Sequence, residues 1–508
     1  MKNALCILLF WSLVLTQLMG QTTAEMTPSI FSHFKTLTMK KTITNLSLLL
    51  VILLNPIAGF SQTTVPTIRA KSNKVSVRVG TEYYPFAWEA TPTPENNPDE
   101  TGAEVAVEGS LFAFITDMDS IGFILKPGES RTFRIIINEK DTVWARAQGR
   151  FPKADFDDAY KKANDGKTVV ELPAAYELIN IIMAITPTGV RDSSLVEHDI
   201  DYYNKLQKYF NAFKTHKAVA VMDSLLKANQ YYDIKMDSYC YDFEKGNLIK
   251  KAAYNRISWG KENTLMPFVP LFQDFAKQSN FARFYKKNQP FYQALIRTFQ
   301  DTLGVPMMQN WLKKNFPATR YNCAKIIFSP LVGGNQSAAF AESNGFKEQQ
   351  THVDFPFANY NVKTAKYSKA AFDLTRGDIV FTELNHGYEN PEFEKNEENA
   401  FSFNKISFKL SIFTTKGTPA STYNNPMQCV QEYMNWGLVS LRYVDFAPKE
   451  DLEALFTYRE NFMVKRRGFT KFAAFNRFLI DIYTKRPEGK TVADLYPQII
   501  EWFRENNK

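Results

Sequence analysis

The sequence predicts an α+β protein: a small N-terminal β-domain, then a mostly helical domain carrying a short sheet. Three observations predict it. Residues 65–150 contain runs that alternate apolar and polar, residues 171–315 space their aromatics three and four apart, and short β-type runs near 324–328 and 352–357 precede another series of helices. At 508 residues the chain exceeds one ordinary core, and 44% apolar residues, with 42 Phe, give it ample surface to bury.

Before the β-domain lie two export-like segments in tandem. Lys2 precedes the apolar run 5–18, and Met39-Lys40-Lys41 precedes a second run at 46–60; each then gives way to a polar stretch. A basic start, an apolar centre and a small residue before polar sequence is the anatomy of a secretory signal. Met39 is the expected start, residues 1–38 an over-extended reading frame, and residues 39–61 a signal peptide cleaved near Ser61. Neither run reaches the ~20 apolar residues of a spanning helix, so the mature form is expected to be exported to the periplasm or beyond without a membrane span.

Residues 62–155 form the expected β-domain, with strands at 74–79, 110–115, 133–137 and 142–147 in a small antiparallel sandwich or sheet. Lys126-Pro127-Gly128 marks a turn, Pro92–Gly109 reads as loop from its Pro, Glu and Asn content, and Asp117 and Asp119 read as a polar turn. A charged linker, 153–167, leads to the second domain, 168–508, with a helical part (168–320) and a motif-bearing part (321–508). In the former, Tyr203, Leu206, Tyr209, Phe210 and Phe213 share a face, as do Phe281, Phe284 and Tyr285; these stripes are read as core. In the latter, helices are expected at 379–387, 427–444, 449–464, 470–484 and 493–505.

Charge and cysteine content narrow the chemistry. The net charge is +8, of which residues 1–61 contribute +3, and Lys465-Arg466-Arg467 is the one tight basic cluster. Without an accompanying stripe of basic and aromatic residues it reads as a solvated helix end, and no nucleic-acid partner is expected. Cys240, Cys323 and Cys429 form no C-x-x-C pair and read as buried hydrophobes.

The most informative stretch is Thr382-Glu383-Leu384-Asn385-His386. It is H-E-x-x-H, the zinc-protease signature, with its first histidine replaced. On a helix, residues four apart share a face and hold one Zn²⁺, while the glutamate acts as general base. Arg376-Gly377-Asp378 supplies a helix start, and Gly387 with Asn390-Pro391 supplies the expected stop. His386 is thus the candidate ligand and Glu383 the candidate catalytic base. A third ligand from a later helix is expected at Glu432, on a segment apolar on two faces. A structural ion pair of Glu432 with Arg442 or Lys471, or simple exposure at the helix start, is the competing expectation. His216 reads as a structural histidine at a helix junction.

The succession of Lys208-Tyr209-Phe210, His216-Lys217-Ala218-Val219, Phe281-Ala282-Arg283-Phe284-Tyr285, Glu383-Leu384-Asn385-His386 and Glu389-Asn390-Pro391 resembles the secreted domain of unknown function 4932 family. Arg467-Gly468-Phe469 and Asp494-Leu495-Tyr496-Pro497 extend the likeness, which covers roughly residues 170–500. Members typically carry H-E-x-x-H followed by Asn-Pro. The resemblance implies a zincin-like fold, zinc as cofactor and metallopeptidase activity, with Glu383 at the general base and His386 at the second ligand. This chain departs at Thr382, and again where Trp436-Gly437 precede Leu438-Val439 in place of the family's glutamate. Glu432 would substitute by a one-turn shift.

Catalytic zinc ordinarily has three protein ligands and an open position. The expected function is therefore an exported degenerate metallopeptidase scaffold, a pseudoenzyme, that binds a peptide or another polymer such as a polysaccharide. The alternative is an active zinc metallopeptidase with rearranged ligands and Glu383 as base.

Overall fold

The structure, a computed structural model, describes residues 12–13, 65–395, 408–424 and 426–508. Apart from Ser12 and Leu13, the expected leader segments over 1–61 lie outside the described residues. The molecule is α+β, and the chain divides into two compact units at Phe151/Pro152.

In the first unit, period-two alternation becomes two four-stranded sheets. Strands 82–89, 74–79, 110–115 and 120–125 are antiparallel throughout. The other sheet is mixed: 130–137 and 141–150 are antiparallel, while 67–70 and 99–104 join its edges in parallel. Inward residues of both sheets, among them Val77, Trp88, Phe114, Phe133 and Val143, close one core. This corrects the fully antiparallel expectation. It also corrects the loop expected over Pro92–Gly109, because Asp99–Glu104 is a strand. Its polar composition suits a sheet edge, where only Thr101, Gly102 and Ala103 are buried. Asp117 makes the expected polar turn, its carboxylate accepting from the Lys71 and Ser72 backbone N–H groups.

The second unit begins with a correction. Residues 153–167 are not a solvated linker, since Asp157 caps a helix, Asp158–Asn164, and Lys153 is buried with its ammonium on the Phe340 carbonyl. Strands Thr168–Glu171, Cys323–Phe328 and Phe346–Val353 then run parallel, and Asn335–Ser343 adds antiparallel to Phe346–Val353. Outside this last strand, among the described residues, only Ser12–Leu13 pairs, at Gln336 and Asn335, and forms the edge of the sheet. The helix Ala174–Ile185 is buried from Ala175 to Ile185 and belongs to the same core as the sheet. The stripe near residue 206 is rotated one residue from expectation. Tyr202, Leu206 and Phe210 are buried, whereas Tyr203 is half-buried and Tyr209 exposed.

Two later helices matter for the site. Asp378–Lys395 packs on the strands Asn335–Ser343 and Phe346–Val353 and against Pro426–Phe446. The Leu452–Asn461 helix continues into a π-helical segment, Phe462–Arg467, that stops at Gly468 with φ +88°. All three expected buried cysteines are free thiols in the core. Among the described residues, no helix is long and apolar enough to cross a membrane.

Candidate functional site

The Asp378–Lys395 helix runs eight residues past the expected stop. Gly387 is needed there for another reason: a Cβ at this position would meet Gln349 Nε2 at 2.6 Å and Phe340 Cε1 at 2.9 Å. Glycine lets the helix backbone approach the sheet, and the Gln349 side-chain amide reaches across to donate to the Leu384 carbonyl. Pro391 is tolerated because the carbonyl its missing N–H would have served, on Gly387, accepts from the Tyr321 hydroxyl at 3.0 Å.

The helix start is fixed by charge. Asp378, in the first turn, is buried and accepts from Arg442 at 2.6 Å, from Arg459 and from the Tyr443 hydroxyl. A carboxylate suits a helix N-terminus, and two guanidinium groups offset its desolvation. Residues 380–390 are all buried, so side chains on every face of this helix meet protein.

Glu383 is fully buried and interacts electrostatically with Lys235 and Tyr232, both on the helix Tyr231–Ser238. Lys235 is itself fully buried, and its ammonium donates to the carbonyl of Asn335, the first residue of the strand Asn335–Ser343. Burial pulls the Lys235 pKa down to about 7, against the opposing pull of Glu383 and Asp354. The neighbouring His352 ring is held neutral by burial and by Lys235.

His386 lies one helical turn beyond Thr382. Its Nε2 accepts from the side-chain amide of Asn435 at 2.8 Å, and Asn385 Nδ2 donates to the Asn435 carbonyl at 3.0 Å. Burial pushes the His386 pKa down to about 4, with Glu432 pulling the other way. The Thr382 hydroxyl is turned into its own helix, donating to the Ile379 carbonyl at 2.8 Å.

Glu432 does sit on the facing helix and near His386, but its oxygen is engaged elsewhere. Oε1 accepts from Arg467 Nη1 at 2.6 Å and from Trp436 Nε1 at 2.8 Å. Arg467 also donates to the Tyr423 hydroxyl at 2.9 Å. The partner is therefore neither Arg442, which serves Asp378, nor Lys471. The expectation of a solvated Lys465-Arg466-Arg467 end is corrected at its last residue. The π-helical segment turns Arg467 into the core while Lys465 and Arg466 stay exposed.

These residues do not fit a bound zinc ion. The hydroxyl at 382, the imidazole Nε2 at 386 and the carboxylate at 432 each have an internal hydrogen-bond partner, and threonine is a poor zinc donor. Among the described residues, no group of three or more His, Cys, Asp or Glu side chains is placed to hold a metal. The structure thus brings Glu383, His386 and Glu432 into one buried region and adds Lys235, Asn435 and Arg467, which sequence reasoning missed. Lys235 between Ile234 and Met236 was the available signal, a lysine flanked by core residues. His216 is structural as expected, its Nδ1 accepting from Ala218 N and its Nε2 lying 3.2 Å from Asp274.

Comparison with protein-family models, curated proteins and solved structures finds no match.

Proposed function

We propose that this is an exported zincin-like protein that binds an extended peptide without hydrolysing it. The carrying observation is the pair of internal bonds that take up Glu432 and His386 Nε2, through Arg467 and Asn435 respectively. A catalytic zinc needs these donors deprotonated and directed at the metal. Fold-level analogy sets only the direction of this reading, and the site decides it.

The peptide preference rests on the strand Asn335–Ser343. It pairs antiparallel with Phe346–Val353, packs on the helix that bears Glu383, and carries on its outer side, among the described residues, only the short Ser12–Leu13 pairing at Gln336 and Asn335. Such a side adds an extended chain through backbone hydrogen bonds, with alternate side chains selected by the surface below. A polysaccharide cannot use the backbone N–H and C=O ladder in this way.

Metal analysis of the purified secreted protein, with a digestion assay on an unstructured protein, tests the proposal. The expected result is a metal-free, inert protein that retains extended peptides from a random library. Stoichiometric zinc with chelator-sensitive cleavage would replace it with the metallopeptidase reading, Glu383 then serving as base.

A further inference from the structure

We propose that the open pocket between the hairpin 241–250 and the helices Val269–Gln278 and Phe281–Arg297 binds a small phosphate monoester with a flat apolar body, its phosphate held by Lys245 and Lys277. The pocket lies within the second unit and uses none of residues 382, 383, 386 and 432. It stands whether or not the protein binds a peptide.

The apolar half follows from shape. The pocket has a volume of about 480 Å³, enough for a small organic molecule, and the small side chains of Ala174, Ala276 and Ala282 leave that room. Phe243 and Tyr285 supply flat walls, and both rings are fixed from behind. Phe243 meets Phe281 edge-on with centroids 5.0 Å apart, and the Tyr285 hydroxyl donates to the Leu172 carbonyl at 2.6 Å. Walls of this kind favour a planar body that stacks or abuts them.

The anionic half follows from where the lysines stand. Lys245-Gly246 is the two-residue turn of the hairpin, with φ +49° and +84°. Asparagine or glycine is the usual first residue of such a turn, and an L-lysine is disfavoured there. Backbone preference therefore does not account for Lys245, whereas a charge beside the pocket does. Lys277 runs alongside, since a Cβ on Gly246 would sit 3.7 Å from its Cγ. Both lysines are exposed, and among the described residues neither is in an ion pair. The neighbouring acids are engaged elsewhere, Asp274 with His216 and Gln278, and Asp242 with Lys251. Asp242 and Glu244 alternate with Phe243 and so leave the ribbon on its other face. The opening turn of the Phe281–Arg297 helix has no acidic residue and adds no competing anion. An ammonium is a point charge without the fork that matches a carboxylate, and two of them suit a doubly charged group. A phosphate monoester carries about −1.5 to −2 at neutral pH.

Titration of the full chain with naphthyl phosphate, followed by the fluorescence of the probe, tests the assignment. One saturable site per chain is expected, with naphthol and inorganic phosphate each binding about tenfold or more weakly. Lys245→Asn/Lys277→Gln should weaken the probe by about tenfold or more, through loss of both charges. Asparagine adopts the left-handed turn readily, so this variant should keep the wild-type thermal midpoint, and its loss of binding is not loss of fold. Ala282→Phe fills the pocket with both lysines intact and should weaken the probe to a similar degree. Undiminished binding in either folded variant would place the probe elsewhere and overturn the assignment, as would no saturable binding up to about 10 mM. Naphthoate, with a single charge, binding as tightly as the phosphate would overturn the choice of headgroup. Should Ala282→Phe fail to fold, the lysine variant still decides.

Discussion

Arg467 and Glu432 form a buried ion pair, Nη1 to Oε1 at 2.6 Å, between the π-helical segment and the helix facing the motif. The guanidinium also lies 5.2 Å from the Trp436 ring, whose indole N–H donates to the same carboxylate oxygen. Both charges have left water, so each depends on the other.

Removing one partner should therefore cost more than removing both. Arg467→Met leaves Glu432 uncompensated and is expected to destabilise the fold by about 3–5 kcal/mol in urea titration. Arg467→Met/Glu432→Leu should recover a large part of that loss. A single variant with wild-type stability would show that the pair is exposed in solution.

Gly387 gives a purely steric prediction. Gly387→Ala places a methyl against Gln349 and Phe340 and is expected to cost about 1–3 kcal/mol through overpacking. Gly387→Ala/Gln349→Ala should be less destabilised than the single variant, because one of the two crowding side chains is shortened. Calorimetric midpoints of the three proteins decide it.

Glu177 supplies a pH dependence. It is fully buried, with Tyr202 donating to it at 2.6 Å, and burial lifts its pKa from 4.5 to about 8. Between those values the folded carboxyl keeps a proton that the unfolded chain has released. The stability it contributes is thus complete below pH 4.5 and falls as pH rises towards 8, by up to about 1.4 kcal/mol per pH unit. Glu177→Gln should flatten that part of the stability–pH curve and raise stability near pH 8. An unchanged slope would place the folded pKa near that of the unfolded chain.

The cysteines are expected to be silent until the fold opens. Burial raises the thiol pKa at Cys240, Cys323 and Cys429, to about 12 for Cys323, so little thiolate is available. Peptide mapping after brief treatment with a thiol reagent should find these three unmodified in the native protein and all three modified in denaturant. Rapid native labelling of Cys429 would show that the Pro426–Phe446 helix is more open than its packing indicates.

Where a side chain's own type reports its surroundings, the sequence was readable. The strands 74–79 and 110–115, the buried Pro426–Phe446 helix and the helical spacing of Glu383 and His386 all belong to this class. The strand Asn335–Ser343 was missed because Asn-Gln-Ser-Ala-Ala carries little β preference, and its ladder with Phe346–Val353 supplies what its composition lacks. Arg467 was misplaced because Lys465 and Arg466 share its charge but not its environment; a change of helical pitch separates them. Gly387 has two meanings, terminator and close approach, and only the distance to Gln349 distinguishes them. Asn435 carries no chemical flag at all, since its significance is a 2.8 Å contact with a residue 49 positions away.

Asp378 binds arginines from two different helices, Arg442 and Arg459, at the very first turn of the motif helix. A rod gripped at one end by two such anchors cannot spin about its long axis without separating buried charges. The direction in which residues 382, 383 and 386 point is thus set about a turn upstream of them. Substitutions at 378, 442 or 459 should consequently reorient residues 382, 383 and 386 while leaving all three chemically intact.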